Sequence, residues 1–148
     1  MNLSRSLAVA LLPIVIALLI IKCDTHSKPS STSSLAGTYH YVGYDKSGGN
    51  KVVEGQLQIT SAESNRLKGK WDLMAIGNPP NLGPQIGTGA LEGEVTNDGG
   101  VRINLNPSMA DNNVSLAGKI EERRIRGEWS YSGFAGIINR GAFEATKE

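Results

Sequence analysis

Beyond Gly37 the chain alternates apolar and polar positions with period two, and no window sets apolar residues at helical spacing. The clearest run places Leu67, Gly69, Trp71 and Leu73 on one face against Arg66, Lys68, Lys70 and Asp72 on the other. The scheme returns at Val53 to Ile59, Leu91 to Val95, Val101 to Leu105, Val114 to Ile120, Ile125 to Tyr131 and Gly141 to Ala145. With an opening strand over Thr38 to Tyr44, the pattern predicts about eight strands, each dry on one side. The joints Lys46 to Asn50, Asn97 to Gly100 and Met109 to Asn113 are rich in Gly, Asn and Asp, the chemistry of hairpins, so consecutive strands pair antiparallel. Strands that are apolar on one side only must close on themselves or pack as two sheets. The expectation is an all-β fold, an eight-stranded antiparallel up-and-down barrel, with a β-sandwich as the alternative.

Composition sharpens this picture at one point. All 18 glycines fall between Gly37 and Gly141. Several recur in a short repeat, apolar, any, Gly, charged, apolar, at Leu67 to Trp71, Leu91 to Val95, Leu116 to Ile120 and Ile125 to Trp129. Glycine takes the dry face each time, which lets a strand bend and makes room for a Trp from across a narrow barrel; the alternative is that it keeps a ligand cavity open. The wet face carries Lys68, Lys70, Glu92, Glu94, Arg126 and Glu128, unlike the apolar outer band of a membrane barrel. A formal net charge of +1 leaves no electrostatic footprint for nucleic acid.

The N-terminus reads as an address. Arg5 precedes an apolar run from Leu7 to Ile21, which as a helix spans about 22 Å, short of a bilayer core of about 30 Å. A signal peptide over residues 1–23 is favoured over a permanent span, with a short uncleaved transmembrane anchor as the alternative. Residues 24–34, dominated by Ser and Thr around Pro29, form a linker, and residues 35–148 form the barrel domain.

The sole cysteine, Cys23, directly follows the apolar run, and with Ile20 and Ile21 it resembles the lipobox of bacterial lipoproteins, Lys22 departing from the small residue usual there. That resemblance implies lipidation at Cys23, export, and attachment to a membrane of the bacterial cell envelope. Leu35 to Tyr39, with Tyr39 in place of a Trp, resembles the first-strand signature of lipocalin-like proteins. Gly127 to Trp129 and Arg140 to Phe143 resemble the closing hairpin of small lipocalin-like or avidin-like barrels. This implies a barrel whose open end binds a small, mostly apolar molecule.

Residue chemistry offers no enzyme. His26 lies in the linker and His40 points outward, and no metal-ligand spacing, nucleophile elbow or phosphate loop occurs, so neither a cofactor nor a metal is expected. Glu92 and Glu94 share a wet face, and Glu121 to Arg126 reads as a mixed-charge hairpin tip. Asn113 to Ser115 is a formal glycosylation sequon. Ala75 to Gln85 is the longest irregular joint, read as a connection or as a lid over a barrel mouth. Ser132 to Asn139 carries Phe134, Ile137 and Ile138, which mark a contact surface or plug the barrel end. The expected function is a non-enzymatic, envelope-tethered binding protein for a small apolar ligand held by Tyr39, Trp71, Trp129 and Phe143. The alternative is a protein-interaction or inhibitor module with a solid interior.

Overall fold

The computed structural model describes residues 35–148. The apolar run Leu7 to Ile21, the lipidation candidate Cys23 and the linker 24–34 lie outside the described residues. The domain is a closed barrel of eight strands in chain order, each paired with its sequence neighbours, so the all-β up-and-down expectation holds. The strands are β1 (Gly37–Tyr44), β2 (Lys51–Glu63), β3 (Arg66–Ala75), β4 (Gly87–Val95), β5 (Gly100–Asn104), β6 (Asn113–Glu121), β7 (Arg124–Gly133) and β8 (Gly136–Lys147). Pairing of β1 with β8, from Tyr39 with Lys147 to Gly43 with Phe143, closes the ring.

One end of the barrel is tight. Ser64 and Asn65 both take positive φ, 49° and 66°, as a two-residue hairpin requires, and Glu122 does so at the β6–β7 turn. The chain enters at this end, where the Tyr39 hydroxyl donates to the Leu35 carbonyl at 2.8 Å. The opposite end holds the β1–β2, β3–β4 and β5–β6 connections and the β7–β8 hairpin, and is termed the loop end below.

Alternation survives almost everywhere. Leu57, Leu67, Leu91, Ile103, Leu116 and Ile125 are each 1% exposed, whereas Lys68, Lys70, Glu92, Glu94, Arg126 and Glu128 face solvent. A bulge between Ile59 and Ser61 shifts the phase of β2, so that Ala62 rather than Ser61 turns inward to pair with Leu67.

The inward glycines do a different job from the one expected. A Cβ at Gly69 would lie 2.0 Å from the Gln58 carbonyl oxygen, and one at Gly127 would lie 2.0 Å from the Ala117 oxygen and 2.5 Å from the Gly118 Cα. Both clashes are with the adjacent strand's backbone, not with a Trp from across the barrel. These glycines let strongly coiled neighbouring strands approach closely enough to close a narrow ring.

Gly127→Ala is therefore expected to cost about 3 kcal/mol, because no flexible side chain can yield. Gly49→Ala, whose nearest neighbour is a Ser47 hydroxyl at 3.5 Å, is expected to change stability by under about 0.5 kcal/mol. Denaturant unfolding of the two variants checks this, and equal costs would contradict the close-approach account.

Candidate functional site

The four aromatic residues expected to hold a ligand all point into the barrel, at 2% exposure for Tyr39, 5% for Trp71, 1% for Trp129 and 3% for Phe143. They belong to one continuous apolar cluster with Leu57, Ile59, Leu73, Leu105, Val114 and Leu116. Phe143 stacks on Tyr41 with ring centroids 5.8 Å apart and planes 20° from parallel.

The polar tips of the aromatics bind backbone. Trp129 on β7 pairs with Gly141 on β8, and its indole N–H passes that glycine to donate to the Tyr44 carbonyl at the end of β1, at 2.8 Å. Trp71 on β3 pairs with Gly89 on β4 and donates to the Leu105 carbonyl just past β5, at 2.6 Å, and to the Ala90 carbonyl at 3.1 Å. Each indole thus spans three strands, and the glycine it crosses is obligatory. A Cβ at Gly89 would lie 2.6 Å from the Trp71 ring, and one at Gly141 would lie 2.0 Å from the Tyr44 oxygen.

Tyr41 is the exception. It is fully buried and its hydroxyl has no hydrogen-bond partner. Burial pushes its ionisation well above the usual phenol range, so the group stays neutral and offers no acid-base chemistry.

The Ala75 to Gln85 joint folds over the loop end. Leu82 is 7% exposed within the apolar cluster, Gln85 is wholly buried, and the Gln85 side-chain amide donates to the Leu82 carbonyl at 2.7 Å. Asn106 donates to the Pro84 carbonyl from beyond β5 at 2.9 Å, and Asn139 on β8 donates to the Pro80 and Asn81 carbonyls at 3.3 and 3.2 Å. Because β8 lies on the far side of the ring from β3 and β4, the joint crosses the mouth and closes it.

Two depressions reach Trp71 from outside. One, about 430 Å³, lies on the outer face of β1–β4 among Gln56, Gln58, Lys70, Asp72 and Thr88. The other, about 290 Å³, lies between Ile86 to Ala90 and Leu105 to Met109, where β4 pairs with β5 only from Glu92 to Val95.

The large apolar side chains that the barrel leaves in solvent are gathered at one end. Phe134 is 97% exposed, Ile137 60%, Met74 60%, Ile138 50%, Ile86 43% and Met109 42%. All six lie at the loop end. Phe134, Ile137 and Ile138 therefore do not plug the barrel. The strands β7 and β8 continue to Gly133 and Gly136, so the segment is a projecting hairpin tip rather than a loose loop. Beside it, the Asp45 carboxylate accepts from Ser47 at 2.6 Å and from the Asn50 side chain at 2.8 Å, and these bonds hold its pKa down at about 2.

His40 is exposed, Glu94 pairs with Arg102 at 3.8 Å, and Arg126 pairs with Glu144 at 2.7 Å and Glu121 at 3.7 Å, all on the outer surface. Among the described residues no group of three His, Cys, Asp or Glu side chains is placed to hold a metal ion, and no helix is long and apolar enough to cross a membrane. Comparison of the chain with known protein families, curated proteins and solved structures finds no match.

Two substitutions separate the paired from the unpaired aromatic groups. Trp129→Phe strands the Tyr44 carbonyl and is expected to cost about 1–3 kcal/mol, whereas Tyr41→Phe removes an unpartnered hydroxyl and is expected to be neutral or stabilising. Calorimetry of both variants checks the contrast. Acid titration tests the β1–β2 loop. The Asp45 pKa is depressed in the folded state, so its contribution is complete above the unfolded value near 3.8 and is lost as pH falls through about 2. Asp45→Asn is expected to flatten that part of the stability profile and leave stability near pH 7 slightly lowered.

Proposed function

We propose that this chain is a non-enzymatic, envelope-tethered interaction module that works through the loop end of a solid barrel. The observation that carries this reading is the placement of large apolar side chains. The interior is filled by Trp129, Tyr39, Tyr41 and the aliphatic residues around them, while Phe134, Ile137 and Met74 stand in water at the loop end. Large apolar side chains exposed at one end of an otherwise charged domain mark a contact site. The Arg5 and Leu7 to Ile21 pattern, the Cys23 position and the 24–34 linker support tethering at the envelope.

A small apolar guest among Tyr39, Trp71, Trp129 and Phe143 is the weaker reading. It would have to part the Tyr41–Phe143 stack or lift Leu82, whose joint is held by Asn106 and Asn139. The two readings diverge in a titration. Adding fatty acids or an anilinonaphthalene dye is expected to leave the emission of Trp71 and Trp129 unchanged, with no saturable one-to-one binding. A saturable tryptophan shift, removed by Trp71→Phe, would overturn the solid-interior reading.

A further inference from the structure

We infer that the β7–β8 hairpin tip is a membrane-inserting element and that its partner is an anionic lipid surface; this rests on the reading of the loop end as the working surface. From Gly133 to Ile138 the tip carries no polar side chain. Phe134, at its apex, is 97% exposed. Ile137 and Ile138 follow each other on β8 where the pairing with β7 shifts by one residue, Ser132 lying opposite Ile137 and Tyr131 opposite Asn139, and they are 60% and 50% exposed. A tip with six consecutive residues free of polar side chains, the apex almost wholly in water, suits the boundary region of a lipid bilayer, which receives apolar side chains from every side.

Charge complementarity fixes the kind of surface. Lys46 and Arg140 line the same shallow depression as Ile137 and Ile138, at the base of the tip. Arg140 makes only a 3.9 Å exposed pair with Glu128, and Lys46 has no ion-pair partner among the described residues. The neighbouring acid, Asp45, has its oxygens engaged by Ser47, Gly49 and Asn50 within its own loop, and Asp111 lies on the β5–β6 connection. At about 3.3 Å per residue, Ile137 stands roughly 10 Å beyond Arg140 along the strand. With the cations at the phosphate level, the tip therefore reaches the depth of about 5–10 Å typical of interfacial insertion.

The test uses the full-length chain carrying Phe134→Trp, mixed with phosphatidylcholine vesicles with or without 30% phosphatidylglycerol, some with brominated acyl chains. Trp71 and Trp129 are buried and supply a constant background read from the unsubstituted protein. The expected result is a blue-shifted indole quenched by brominated lipid in the anionic vesicles, weaker in neutral ones, reduced by Lys46→Glu and lost when Ile137→Asp is added. Attachment through the N-terminus alone does not produce it, because bromine quenches only at contact range.

A water-like, unquenched emission in every vesicle overturns the inference. Photo-crosslinking from position 134 in the native envelope then separates the two claims. A stoichiometric protein adduct lost with Ile137→Asp overturns the lipid assignment and leaves the loop end as the working surface. Neither insertion nor an adduct overturns both.

Discussion

The barrel depends on two indoles that each bind a backbone carbonyl two strands away. Trp71 and Trp129 occupy equivalent places in Arg66 to Trp71 and Arg124 to Trp129, segments that both read Arg, aliphatic, basic, Gly, charged, Trp. Each crosses a glycine on the next strand, Gly89 or Gly141, to reach the strand after it, near Leu105 or Tyr44. Each tryptophan thereby staples three of the eight strands, β3 to β5 by one and β7 through β8 to β1 by the other. A side chain at either crossed glycine would meet the ring or the carbonyl, so the staple and the glycine are one feature. The other inward glycines bring neighbouring backbones close, and the resulting ring is narrow enough for its own side chains to fill. The buried apolar cluster occupies the interior of this ring.

The weakest seam shows the same logic. β5 is only five residues long, so β4 from Gly87 to Leu91 has a strand partner on the β3 side alone. Here the Trp71 indole supplies the missing contact, binding both the Ala90 and Leu105 carbonyls across the gap. The Asn106 to Pro84 hydrogen bond covers the gap nearer the loop end. An unpaired edge is a site for adventitious strand pairing, and cover by a loop is a standard way to suppress it.

Local features of this design were legible in the sequence. Period-two alternation located every strand, because a half-buried strand must alternate, and Gly, Asn and Asp marked three of the joints, Lys46 to Asn50, Asn97 to Gly100 and Met109 to Asn113. The crossed indoles were not legible. Trp71 and Leu105 are 34 residues apart and Trp129 and Tyr44 are 85 apart, and no local pattern encodes a contact at that distance. The glycine repeat was visible but its cause was misread, since period and composition do not distinguish room for a ring from room for a backbone. Apolar content at Ser132 to Asn139 was also visible, but its direction was not: Phe134 looks the same in sequence whether it plugs the barrel or leaves it.

Direction matters because the barrel has two unlike ends. The chain enters beside Tyr39 and Leu35, at the end of the short turns, and the C-terminal strand returns there, with the Lys147 amide bound to the Arg123 carbonyl at 2.7 Å. That end is occupied by the charged residues Glu121, Glu122, Arg123 and Arg124, of which Arg124 pairs with Glu144 and Glu121 with Arg126, while Arg123 donates to the Lys147 carbonyl. Among the described residues, the loop end carries all six exposed large apolar side chains. Any attachment made through residues before Leu35 therefore acts at the charged end and leaves the apolar end the whole barrel length away. Between the two ends lies the barrel itself, eight paired strands whose spacing is set by the crossed indoles and by the glycines that admit a neighbouring backbone.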